Sequence, residues 1–193
     1  RRLTMLTRRL LILSWLILPM GSAAVADERS WKRQRQVLFD QLRNAGTERE
    51  ARRVEDAIWR MWMANAPTSA TAEAVTEAMK KRELYDWDGA LELLDEATAS
   101  APDYAEVWNQ RAFVRFLKQD LDGSLEDIDR AIRLEPNHFA ALAGKALILM
   151  QQGRVELGQT ALREAVRLNP WLRERSMLIP RPGEILPGPG KDI

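Results

Sequence analysis

The chain has 193 residues, 30% of them charged, with a formal net charge of +1, one histidine and no cysteine. The missing thiols exclude disulfides, thiolate metal sites and a lipoprotein anchor, and a single histidine is too few for a nucleophilic triad or an ordinary zinc site. The first 26 residues hold four arginines and no acid, so the remainder is mildly acidic, without the basic patches interleaved with aromatics that bind nucleic acid.

In chain order, residues 1–26 read as an export signal. Arg8 and Arg9 supply the positive start, 10–18 is apolar apart from Ser14, and Ala24-Val25-Ala26 has the small-x-small form that precedes cleavage, here before Asp27. The arginine pair resembles a twin-arginine signal only faintly, and the general secretion route is expected. The apolar run falls well short of the roughly 20 residues of a membrane span, and Pro19 and Gly21 interrupt any longer helix. A periplasmic chain is therefore expected, touching the membrane only through this segment. An uncleaved helix anchoring it in the inner membrane is the alternative.

Residues 27–70 predict a helical hairpin after a flexible start at 27–30. Trp31, Arg35, Leu38 and Leu42 share a stripe with Phe39 alongside, and Asn44-Ala45-Gly46 marks a turn. Thr47 and Glu50 then form a capping box for a second helix, whose inner face is Ala51, Val54, Ile58, Met61 and Trp62 and which ends before Pro67. This hairpin is expected to cap the array that follows, or to be a degenerate copy of its unit, because the first unit would otherwise expose an apolar face.

The array has a period of 34. That step links Pro102, Pro136 and Pro170; Ala97, Ala131 and Ala165; Leu94, Ile128 and Leu162; Ala90, Ser124 and Gly158; and Ala78, Ala112 and Ala146. The units are 71–104, 105–138 and 139–172. The middle one shows the pattern most clearly. Val107, Trp108, Ala112, Phe113, Phe116 and Leu117 form one helical face, and Leu125, Ile128, Ala131, Ile132 and Leu134 form another ahead of Pro136. Ala131 is expected at a close helix crossing, with Ala161 outside the small-residue register. Residues 171–178 predict a short last helix, and 179–193 is a Pro/Gly-rich tail, extended or disordered.

Trp108, Ala112, Ser124, Ile128, Ala131 and Pro136 resemble the signature of the tetratricopeptide repeat (TPR) family, here an exported bacterial type. Arg111 departs from the family's leucine, Arg115 from an aromatic, Ser124 from alanine and Ala74 from tryptophan. The resemblance implies an all-α, right-handed α-solenoid of antiparallel helix pairs: three TPR repeats, the N-terminal hairpin and a short C-terminal capping helix. It implies a concave groove that binds a protein or peptide, with no cofactor and no chemistry of its own.

The residues themselves agree on chemistry. His138 lies in a turn between units and is expected to face solvent or cap a helix. Asp127/Asp129 and Asp86/Asp88 read as ordinary solvated charge. The resemblance places Val75, Met79, Asn109, Phe113, Phe116, Leu147 and Met150 in the partner-binding groove. The basic clamp with which some relatives hold a chaperone's C-terminus is absent, since Val75, Met79, Gln110, Ala140 and Gly144 stand in the comparable places. An apolar groove suits an amphipathic helix or an extended peptide, with Asn109 able to bond its backbone. Packing between repeats, or cover by the 179–193 tail, are the competing uses of the same side chains.

Overall fold

The computed structural model describes residues 21–184, with side chains from Ser30 onward. Most of the export segment (1–20) and the end of the tail (185–193) lie outside the described residues. The chain divides into two compact units, 1–34 and 35–193. The described part of the first, 21–34, is helical. The described residues form eight α-helices and no strand: α1 (Gly21–Arg43), α2 (Glu48–Ala64), α3 (Ser69–Glu83), α4 (Trp87–Ser100), α5 (Ala105–Leu117), α6 (Leu121–Leu134), α7 (Phe139–Gln151) and α8 (Val155–Leu168). A 3₁₀ turn, Arg173–Met177, stands where a short last helix is expected. The expected flexible start at 27–30 is instead helical: α1 begins at Gly21, and no proline or glycine lies between Gly21 and Arg43 to stop it.

Helices α3/α4, α5/α6 and α7/α8 pair as antiparallel hairpins, each stacked on the next. Their turns repeat the period in backbone terms. Tyr85, Gln119 and Gly153, spaced by 34, all take positive φ (63°, 64° and 78°). In each turn the next amide reaches back to close the helix: Asp86 N to Lys81 O, Asp120 N to Arg115 O and Arg154 N to Leu149 O. This is the Schellman closure, which needs a left-handed residue; glycine supplies it freely, whereas Tyr85 and Gln119 adopt it at some strain. Asp86 and Asp120 then cap the following helices, accepting from Gly89 N and Gly123 N at 3.0 Å each.

Small residues lie where paired helices cross. Ala78, Ala112 and Ala146 are buried, as are Ala90 and Ser124. Ser124 Oγ donates to Ala112 O at 2.7 Å. A Cβ on Gly158 would sit 2.9 Å from Ala146 O, so α8 approaches α7 as closely as backbone permits. Ala131 is fully buried, as the register predicts, but Ala161 is buried too, at 6% exposure, packed with Ala146 and Leu162. Two departures from the repeat pattern are compensated by charge. Arg111 forks onto Asp127 (2.7 and 2.8 Å) and reaches Asp95 at 2.8 Å, while Arg115 meets Asp127 at 3.1 Å. Asp127 is therefore not solvated charge but a carboxylate 2% exposed, held between two guanidinium groups.

The N-terminal hairpin meets the first repeat only at its end, where Met63 and Ala66 pack against the α3–α5 cluster. Phe39, Leu42, Ala45, Ala51, Ile58, Met61 and Trp62 pack instead with Phe139, Leu142, Ala143, Ala165 and Leu168 of α7 and α8. The rest of α3 tolerates exposure because it carries its own polar stripe: Glu73, Thr76, Glu77 and Lys80 are all exposed at helical spacing. The capping box also differs by one residue. Thr47 Oγ1 accepts from Glu50 N at 3.2 Å, but the Glu50 carboxylate takes the Gly46 amide rather than that of Thr47.

Candidate functional site

The N-terminal hairpin runs across the two turns that join one unit to the next and the turn that follows the last unit. Tyr104 Oη donates to Trp62 O at 3.0 Å, the Trp62 ring stacks on His138 at 4.1 Å and 17°, and Trp171 Nε1 donates to Ala45 O at 3.1 Å. Asn169 Nδ2 adds a bond to Glu55 at 3.5 Å, and Arg35 pairs with Glu135. These contacts leave α2 as one wall of a cavity whose other walls are the first helices of the repeats.

The cavity has a volume of about 510 Å³. Met79 and Arg82 of α3 line it, with Asn109, Gln110, Phe113 and Phe116 of α5 and Ala140, Gly144, Leu147 and Ile148 of α7. Helix α2 contributes Arg52, Glu55 and Trp59, and Trp171, Leu172, Arg173 and Glu174 close one end. Five of the seven residues expected in the groove therefore face one space: Met79, Asn109, Phe113, Phe116 and Leu147. The other two do not. Val75 is fully buried in the cluster formed by α3, α4 and α5, and Met150 packs against Gly158 and Leu162 between α7 and α8. Phe113 is 45% exposed, so it is not core.

A buried polar network lies behind this wall. Glu106, 1% exposed, accepts from Gln110 Nε2 at 2.6 Å, from Asn109 Nδ2 at 3.3 Å and from His138 at 3.0 Å. His138 Nδ1 accepts from Ala141 N at 3.2 Å, which caps α7 and places the ring proton on Nε2, facing Glu106. Thus the turn-capping role expected of His138 is seen, but the side chain is fully buried rather than solvent-facing. Gln110 Oε1 in turn accepts from Arg82, whose guanidinium lies 4.6 Å from the Phe113 ring centroid. Burial lowers the Arg82 pKa, partly offset by Glu83 and Glu106. On the opposite wall burial raises the Glu55 carboxyl, against the bond from Asn169.

Trp59, Arg82 and Phe139 are site residues that the repeat pattern does not reveal. Trp59 and Phe139 meet only because α2 folds across the array, and Arg82 lies near the end of α3, outside the positions the family resemblance singles out. Among the described residues no cluster of three or more histidine, aspartate or glutamate side chains is placed to hold a metal ion. No described helix is long and apolar enough to cross a membrane. The described part of the tail is tied to α8 instead of entering the cavity: Ile179 N donates to Gln159 at 2.8 Å, and Arg163 pairs with Glu184 at 2.8 Å.

The chain is 34% identical over 168 residues to a TPR repeat-containing protein of Rhizobium etli, covering 81% of each. It is 31% identical over 108 residues to tetratricopeptide repeat protein 36 of Mus musculus, covering 53% of this chain and 58% of that protein's length. Among solved structures, the first TPR of Spaghetti (RPAP3) bound to an HSP90 peptide superposes with a TM-score of 0.54 at 14% identity, covering 56% of this chain and 86% of that one. The TPR2B-domain:pHsp70 complex of yeast Sti1 gives 0.51 at 22% identity, covering 52% and 81%. No family model matches the chain. The structural likenesses show the fold. With the 34-residue period, the small-residue crossings and the extent of the likeness to the Rhizobium protein, the chain belongs to the tetratricopeptide repeat family.

Proposed function

We propose that the chain is a non-enzymatic scaffold that holds a protein or peptide partner through the concave face of its repeats. The observation that carries this reading is Phe113, a large aromatic left 45% exposed on that face beside Met79, Phe116 and Leu147. Exposed aromatics in a concave apolar site are the usual anchors of an interface. Two proteins that share its fold, the first TPR of Spaghetti with an HSP90 peptide and the TPR2B domain of yeast Sti1 with pHsp70, are seen as complexes, which supports a peptide-type partner in kind but not in identity. The partner need not be a helix: α2 already occupies the side of the groove over α7. A photo-crosslinking residue at 113 in the native cell tests the reading, with the same residue at exposed Thr76 as control. Partner capture at 113 but not at 76 supports it, and equal yields contradict it.

The setting we propose is the periplasm, in a cell-envelope process, after cleavage before Asp27. The composition of the first 26 residues supports this. One observation favours the alternative, a membrane-anchored adaptor: Ala24, Val25 and Ala26 lie inside α1, whose backbone is helical, whereas a protease takes its substrate extended. The intact mass of protein from native envelope separates the two. A chain beginning at Asp27 supports export with cleavage, and an uncleaved chain in the membrane fraction supports anchoring.

A further inference from the structure

We propose that the cavity between α2 and the first helices of the repeats binds a small amphiphilic monocarboxylate of the fatty-acid class, its anionic head on Arg82 and its hydrocarbon chain along Phe113, Phe116 and Leu147. Such a ligand lies on the apolar strip assigned above to a partner, so the two compete for Phe113, Phe116 and Leu147, and this inference does not rest on that reading.

The size comes first. A volume of about 510 Å³ falls within the roughly 300–1,000 Å³ of sites that enclose small ligands. The second step concerns polar groups. An extended peptide brings backbone N–H and C=O groups that need partners once water is displaced. The polar side chains in the middle of this wall are already committed to their own network. Gln110 is used at both ends, by Glu106 and by Arg82; the amide nitrogen of Asn109 is used on Glu106; and Ser124 donates to Ala112 O. Of these groups only the Asn109 side-chain oxygen is left without a role in the network, so a ligand lying there is held chiefly by apolar contact along its length.

The third step is charge. Arg82 is half-buried and has no ion pair among the described residues; its one hydrogen bond goes to Gln110. A guanidinium carries five N–H donors in a fork that fits a carboxylate. Two acids act on Arg82 through space: Glu83, which is exposed to solvent, and Glu106, which is buried behind Gln110 and engaged with His138. The other charged residues of the lining come as both signs, Arg52 and Arg173 with Glu55 and Glu174, so only the Arg82 end carries positive charge without a matching acid in the lining. A hydrocarbon chain ending in one carboxylate meets all three conditions.

The test titrates the full chain with decanoate, 1-decanol and decyltrimethylammonium below their micelle concentrations, reading the fluorescence of the tryptophans, of which Trp59 and Trp171 line the cavity. Decanoate is expected to saturate one site and to bind roughly tenfold or more tightly than decanol, the usual weight of a charge-assisted hydrogen bond, with the ammonium weakest. Arg82→Gln should bring decanoate to the level of decanol, with decanol binding in that variant showing the cavity intact. Arg82→Lys should keep part of the preference, and Lys80→Gln on the exposed stripe all of it. Equal binding of decanoate and decanol to the unaltered chain overturns the proposal, as does absence of saturable binding. So does a preference that survives Arg82→Gln.

Discussion

At the scale of single residues, burial separates side chains that share one sequence pattern. Phe113 and Val75 are both apolar residues on first helices, yet Phe113 is 45% exposed and Val75 is fully buried. Phe113→Ser should therefore cost about 1 kcal/mol in a thermal or denaturant melt, well below the roughly 3–5 kcal/mol of a buried phenylalanine. A loss in the upper range would return Phe113 to the core and remove the anchor from the proposed interface. His138→Ala should be far more damaging, by about 2–4 kcal/mol, because it removes a helix cap and strands one oxygen of a buried carboxylate. Pairing it with Glu106→Gln in a denaturant melt checks the cause: the double variant should lose less than the sum of the two single losses. A position in a turn gave no hint of either burial or partner, since both come from α2 and α5 folding over the residue.

At the scale of elements, the 34-residue period revealed the three hairpins, the prolines between them and the small residues at their crossings. It did so because helix pairs that stack identically must place small side chains at identical intervals. Gly158 sharpens that argument. Alanine is favoured over glycine in a helix by roughly 0.5–1 kcal/mol, but a Cβ here would press on Ala146 O and Met150. Gly158→Ala should destabilise by about 1–3 kcal/mol, the range for overpacking, while Ala99→Leu on the exposed side of α4 should leave the melt within about 0.5 kcal/mol. A stabilised Gly158→Ala chain would mean that α7 and α8 are not in close approach. The turn conformations were not legible in the same way. Tyr85 and Gln119 are poor residues for positive φ, and only the closure of the preceding helix requires it of them.

At the scale of the whole molecule, the placement of the N-terminal hairpin decides what kind of site the protein has. Its helices were legible from their stripes and turn, but their destination was not: periodicity shows which face is apolar, never which surface will cover it. The polar stripe on α3 was the available signal that most of the hairpin goes elsewhere, and it lies in plain sequence at Glu73, Thr76, Glu77 and Lys80. Because α2 instead spans the turns at Tyr104, His138 and Asn169, an open groove becomes a walled cavity with Phe113 at its apolar side. The most direct test is amide hydrogen exchange on the full chain and on Trp62→Ala, which removes the ring stacked on His138. Protection should fall most at the start of α7, including the Ala141 amide that His138 holds, and at 169–172, while the turn between α3 and α4 stays as it was. Loss of protection confined to α3 and α4, with α7 unchanged, would place the hairpin on the first repeat and contradict the account.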